Sequence, residues 1–216
     1  MPAAAHDTSL ILTDVAVARG GLVRLSGVGL EAAPGQVVGL RGPNGIGKTT
    51  LLRAIAGLQP LVAGQVNPGR DAVAYASHAD GIKATLTVAE NLRFWAAVYG
   101  AADIGPAVAA FDLDGLLDRA GGSLSAGQAR RCGLARLVLS GRSVWLLDEP
   151  TVALDTAGIA QLGALLEAHC AAGGVALVSS HAALPVEDRT LDLTGYASGQ
   201  GAATPMAATA FDEAVE

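Results

Sequence analysis

The stretch Gly42–Thr50 reads "GPNGIGKTT" and fits the pattern G-x-x-x-x-G-K-[ST]. Residue types in that order suit one task, holding a chain of phosphates. Successive backbone N–H groups can wrap the oxygens, and the N-terminus of a following helix adds its dipole. Gly45 and Gly47 leave the main chain bare where phosphate must come close. Lys48 would bring charge to the β and γ oxygens, and Thr49 would offer a hydroxyl to Mg²⁺. Gly42, Pro43, Asn44, Ile46 and Thr50 complete the candidate nucleotide-binding loop. Lys48 and Lys83 are the only lysines in the chain, so chance placement of one behind Gly-x-x-x-x-Gly is improbable. A second constellation lies in "SVWLLDEP", where an apolar run delivers Asp148 and Glu149 together. Asp148 suits the Mg²⁺ shell, and Glu149 suits orienting or polarising a water that attacks phosphorus. A pair of solvated acids at a strand end is the plainer reading. The buried-type run before them and Pro150 after them weaken it.

These groups need elements to hold them. Val37–Leu40 reads as a strand leading into the glycine-rich turn, and a helix follows from about Lys48 to Ala56, stopped by Gly57. Ala72–Ala76 is a further short strand. In "TVAENLRFWAAVYG", Thr87 and Glu90 have the spacing of a capping box, and Gly100 is the stop. Residues 101–122 read as a loose segment with a short helix around Leu113–Arg119. Ser125 caps a helix to about Leu139, Ser143–Leu147 is a strand, Asp155 opens a helix to about Ala172, and Val175–Val178 is a strand. Strand and helix alternate, which predicts an α/β core with a mostly parallel sheet and helices on both faces. Adjacent acids at the carboxyl end of a strand then lie where such sheets bind ligands.

Composition narrows the remaining choices. Hydrophobic residues make up 51% of the 216 and charged ones 16%. That balance raises the question of a membrane span, yet no run of about 20 apolar residues exists. The short runs Val144–Leu147 and Gly174–Val178 predict strands buried on both faces instead. A net charge of −6 and no basic cluster argue against a nucleic-acid partner. Cys132 and Cys170 fit no metal-ligand spacing and read as buried free thiols of a reducing compartment. "MPAAAHDTSL" has neither a basic start nor an apolar stretch, so no secretory signal is expected. Residues 197–216 are small, polar and unpatterned, and read as a disordered tail.

Leu124–Arg131, "LSAGQARR", resembles the signature sequence of ABC-type ATPases and stands about twenty residues ahead of the Asp148–Glu149 pair, as in that family. "TVALD", ending at Asp155, resembles the family's D-loop, and "ALVSSH" ends at His181, the position of its switch histidine. The motifs run in family order from Gly42 to His181. The resemblance implies a P-loop ATPase core over residues 1–196 with a helical subdomain inserted at about 79–140. It implies Lys48, Glu149 and His181 as catalytic residues, with ATP and Mg²⁺ as cofactors. Ser125, Gly127 and Gln128 would grip the γ-phosphate of an ATP held by a second, head-to-tail copy. The helix start at Ser125 gives that a physical basis, because its first N–H groups face outward. Ala126 replaces the family's usual glycine, adding a methyl close to the phosphate. The family's aromatic adenine-stacking residue is missing from "VAVARGGLVRL"; Arg19 falls near that place, and a guanidinium stacks on a purine face.

"HADGIK", then "LTVAENLRFW" and the "LSAGQ" variant, resemble the ATP-binding subunits of cytochrome c maturation systems, a haem exporter family. His78 stands where ABC proteins normally place the glutamine that reports on Mg²⁺ and water. With Lys83 it would form the loop coupling ATP to a membrane partner; a solvated loop lysine is the plainer reading of Lys83. Haem ligation by His78 has no evident purpose beside a γ-phosphate. The resemblance implies integral membrane permease subunits of the CcmB and CcmC kind as partners, and a peripheral place on the cytoplasmic face of the bacterial inner membrane. Two alternatives stay open: a soluble ABC ATPase that remodels a cofactor-assembly scaffold, and the ATPase of an exporter of another substrate.

Overall fold

A computed structural model describes residues 8–180 and 184–198, so His181 and most of the proposed tail lie outside the described residues. The chain opens with β1 (Leu10–Arg19) and β2 (Leu22–Ala32), joined by Gly20 and Gly21 at φ 58° and 72°, the left-handed pair that a two-residue hairpin turn requires. After β3 (Val37–Arg41) and α1 (Lys48–Ile55), β4 (Ala63–Asn67) returns to pair antiparallel with β1. Gly64 is obligatory there. At φ 84°, a Cβ on it would lie 2.4 Å from the Asp14 carbonyl oxygen. β5 (Val73–Ala76), β6 (Val144–Asp148), β7 (Val175–Ser179) and β8 (Arg189–Asp192) join β3 in an all-parallel sheet of order β5-β6-β7-β3-β8.

Every residue of β6 and β7 is buried, as their short apolar runs predict. Period-two alternation divides them between two cores. Val144, Leu146, Val175 and Leu177 face α1 and the antiparallel sheet, packing with Leu25, Leu51 and Leu52. Trp145, Leu147, Ala176 and Val178 face the other way, toward α2 (Val88–Tyr99), α4 (Ala126–Ser140) and α5 (Thr156–Ala171). One sheet face is therefore covered by a helix and a second sheet rather than by helices alone. Burying one such leucine or valine contributes about 1.5–3 kcal/mol.

The helix ends follow the sequence closely. Thr87 Oγ1 accepts from the Glu90 N–H at 3.1 Å, and Glu90 Oε2 accepts from the Thr87 N–H at 2.8 Å, which closes a capping box. Those bonds to Thr87 hold the Glu90 carboxyl below its usual range. Gly100 ends α2 in the left-handed conformation at φ 75°. Within the segment read as loose, Gly105–Ala110 forms α3, with Pro106 in its first turn. The short helix expected around Leu113–Arg119 is a single 3₁₀ turn, Asp114–Leu116. Cys132 and Cys170 are free and buried, and burial pushes each thiol up to about 11.

His169, near the end of α5, stacks on Trp145 with ring centroids 3.8 Å apart and planes 8° from parallel. Burial pulls its pKa below the ordinary 6.5. An imidazole held neutral by the fold charges first in the unfolded chain, so its contribution is intact above about pH 6.5 and is lost as pH falls below that. We predict that the gap in thermal midpoint between wild type and His169→Phe shifts in the variant's favour from pH 7.5 to 5.5. A pH-independent gap contradicts this role.

Candidate functional site

Parallel pairing sets the site. Asp148 at the end of β6 pairs with Ser179 of β7, which in turn pairs with Leu40 of β3, and Ala76 of β5 pairs with Leu147. Four loops therefore leave the sheet along one carboxyl edge. They carry Gly42–Thr50, Ser77–Lys83, Glu149–Asp155 and the segment after Ser179.

The loop after β3 turns on glycines at φ 144° (Gly42), 78° (Gly45) and 122° (Gly47), all in the left-handed half of the map. A Cβ on Gly42 would press on Ile46 at 3.1 Å, and one on Gly47 on Leu25 at 3.2 Å. The second contact shows that β2 lies against the helix start. Pro43, Asn44 and Gly45 are exposed, while Lys48 is only 9% exposed. Its Nζ donates to the Gly42 carbonyl at 2.7 Å and the Pro43 carbonyl at 3.4 Å, so the ammonium sits across the loop mouth. Thr49 is half-buried on the first turn of α1 and Thr50 is buried.

Asp148 is 2% exposed. The Tyr75 hydroxyl donates to its Oδ2 at 3.3 Å, and burial, with that carboxylate beside it, pushes the Tyr75 phenol up. Glu149 is half-buried at φ 48°, an uncommon conformation for a residue with a Cβ. Its N–H donates to the Ser179 carbonyl at 2.9 Å, and Ser179 Oγ lies 3.4 Å from its Oε1. A few hard oxygens fit Mg²⁺, which keeps waters and substrate oxygens in most of its coordination positions. Among the described residues no group of three or more His, Cys, Asp or Glu forms a metal cage.

Ser125 accepts from the Gln128 N–H at 3.2 Å, and Gln128 Oε1 accepts from the Ser125 N–H at 3.0 Å, a second capping box at the head of α4. Ala126 begins the helix without a positive φ, so alanine fits this backbone without strain. A Cβ on Gly127 would lie 2.9 Å from the Ala153 carbonyl oxygen, which brings α4 against the 151–155 loop. Among the described residues no hydrogen bond joins Ser125–Gln128 to Gly42–Thr50. Asp155 is the cap of α5, its Oδ1 accepting from the Gly158 N–H at 2.8 Å. Arg19 is exposed at the hairpin turn, opposite Leu22, itself half-exposed. His78 and Lys83 are exposed, and the Lys83 ammonium lies 5.6 Å from the centre of the Phe94 ring.

Three residues outside the sequence-based assignment also build this edge. Arg41 donates to the Ser180 carbonyl at 3.2 Å and pairs with Glu187, so it brackets the segment that contains His181. Tyr75 touches Asp148. Arg130 is buried among the carbonyls of two loops. Only "LSAGQARR" hinted at Arg130, through its place one turn beyond Ser125.

The ABC transporter family pattern matches residues 25–152. The chain is 55% identical to the cytochrome c biogenesis ATP-binding export protein CcmA of Roseobacter denitrificans, over 93% of this chain and 96% of that protein. It is 52% identical to CcmA of Ruegeria pomeroyi over 87% and 92%. A solved ATP-binding subunit of an ABC transporter superposes with a TM-score of 0.78 at 25% identity, covering 86% of each chain. The chain belongs to the ABC transporter family and has the family's nucleotide-binding ATPase fold.

Replacing Lys48 removes the one ammonium at the loop mouth. We predict that Lys48→Ala weakens binding of a fluorescent ATP analogue at least about tenfold, the loss of one charge-assisted contact. Equal affinity in a folded variant contradicts the loop assignment.

Proposed function

We propose that this chain is the ATP-hydrolysing subunit of an ABC transporter complex serving haem handling in cytochrome c biogenesis. The observation that carries this reading is the identity of more than half to CcmA proteins over nearly the whole of both chains. We assign residues 1–196 to the ATP-binding domain and about 79–140 to its helical subdomain.

In this reading the triphosphate lies along Gly42–Thr50, and Lys48 exchanges its bonds to the Gly42 and Pro43 carbonyls for β and γ oxygens. Thr49 and Asp148 would hold Mg²⁺, whose charge would offset that of the triphosphate. Glu149 orients a water and accepts its proton as oxygen attacks the γ-phosphorus. The bond to the departing ADP oxygen breaks, and ADP and phosphate are released. His181 fixes the attacking water and the γ-phosphate. Ser125, Gly127 and Gln128 belong to the site of a second copy. Two ATP molecules then lie between head-to-tail copies, with each Asp155 loop at the shared interface. Arg19, with Leu22 beside it, stacks on adenine.

No described helix is long and apolar enough to cross a membrane. Transport then requires integral membrane subunits, which we take to be CcmB- and CcmC-like permeases at the bacterial inner membrane, with this chain peripheral on the cytoplasmic face. Their contact would be the His78–Lys83 loop and the neighbouring face of α2. There Phe94 is 48% and Val98 56% exposed, and Lys83 offers a positive charge.

Disrupting the gene should abolish haem-stained c-type cytochromes, and Glu149→Gln should fail to restore them where wild type succeeds. Normal c-type cytochromes in the disrupted strain contradict the assignment.

A further inference from the structure

The Arg130 side chain makes six hydrogen bonds. Its Nε donates to the Pro150 carbonyl at 3.1 Å. Its Nη2 donates to the carbonyls of Asp148 at 3.2 Å and Glu149 at 2.8 Å. Its Nη1 reaches the carbonyls of Ser77 at 2.8 Å and His78 at 3.2 Å, and Asp80 Oδ1 at 3.1 Å. A guanidinium carries five N–H donors, so every one is used and one is shared. The side chain is only 4% exposed, and Asp80 balances the charge.

We infer that Arg130 is a positioning residue for turnover, fixing the strained backbone at Glu149 and tying it to the Ser77–Asp80 loop. The inference rests on Glu149 being the residue that handles the attacking water. A non-glycine residue at φ 48° persists only where its surroundings over-determine it. Arg130 grips the carbonyls on both sides of that residue and its own, while Ser179 accepts from its N–H and donates to its carboxylate. The opposite half of the guanidinium fork holds a loop that rests on the same helix. A Cβ on Gly133 would lie 2.7 Å from the Asp80 carbonyl oxygen, and Arg136 donates to the Tyr75 carbonyl at 3.2 Å. Asn91 holds the far end of that loop, accepting from the Lys83 N–H at 2.8 Å and donating to the Lys83 carbonyl at 3.1 Å. The loop is thus clamped to α2 and α4 at both ends, and Arg130 links that unit to the Glu149 backbone. A displacement of the loop is transmitted to the Glu149 backbone through one rigid planar group.

ATP turnover of the full-length chain tests this with Arg130→Lys, Asp80→Asn and the double variant, alongside Glu149→Gln. A lysine keeps the buried charge but cannot span both loops. We expect kcat to fall about tenfold in Arg130→Lys and about threefold in Asp80→Asn, with KM for ATP within about twofold, the signature of a lost transition-state interaction. The double variant should be no slower than Arg130→Lys alone, because Asp80 acts through Arg130. An unchanged kcat in Arg130→Lys of intact thermal midpoint, or a KM that rises in step, overturns the inference. If Arg130→Lys does not fold, Asp80→Asn decides, since it removes the charge that anchors the guanidinium on the Ser77–Asp80 loop; parental kcat there overturns it as well. Normal turnover in Glu149→Gln would instead remove the reading on which the inference stands.

Discussion

Parallel pairing along β5, β6, β7 and β3 is the constraint on which the rest depends. Because these strands run in one direction, with Leu147, Asp148, Ser179 and Leu40 in neighbouring registers, their carboxyl ends finish together. A slip of one residue would send Leu146 and Leu177 to the wrong face and Asp148 into a core. The two hydrophobic clusters, one on each face, oppose such a slip far more strongly than the ladder bonds could. Packing therefore sets where the Gly42–Thr50 loop, the acidic pair and the Ser77–Lys83 loop meet.

Onto that edge the chain brings cations of two kinds. Lys48 is a compact charge on a flexible stem, held for the moment by two carbonyls that a phosphate can replace. Arg41 and Arg130 are planar forks that join loops, Arg41 across the 180–187 segment and Arg130 across the Ser77–Asp80 and Asp148–Pro150 segments. The near-exclusive use of arginine elsewhere fits this division of labour. A mobile ammonium suits a substrate contact, and a rigid multi-donor group suits fixing backbone.

Much of this was legible in the sequence where one local rule decides a structure. The glycine-rich turn, the Thr87 capping box, the Ser125 and Asp155 caps and the fully apolar β6 and β7 each depend on neighbours within four residues. The losses have physical causes too. β1 carries bulges that break the alternation a strand is read from, while β4 and β8 are mostly exposed and short. α3 is six residues of small side chains with no apolar stripe to reveal it. Tyr75, Arg41 and Arg130 were invisible as site residues for another reason. Their partners lie 73, 139 or 18–53 residues away, and backbone carbonyls have no sequence signal.

The central claim is that each ATP site is completed by a second copy. The most direct measurement mixes Lys48→Ala protein with Ser125→Arg protein, each inactive by itself, and reads ATP turnover. In a head-to-tail pair one site then collects both defects while the other is intact, so the mixture should regain turnover. A mixed pair that forms but stays as inactive as its parts would show that the phosphate loop and the signature helix of a single copy serve the same ATP.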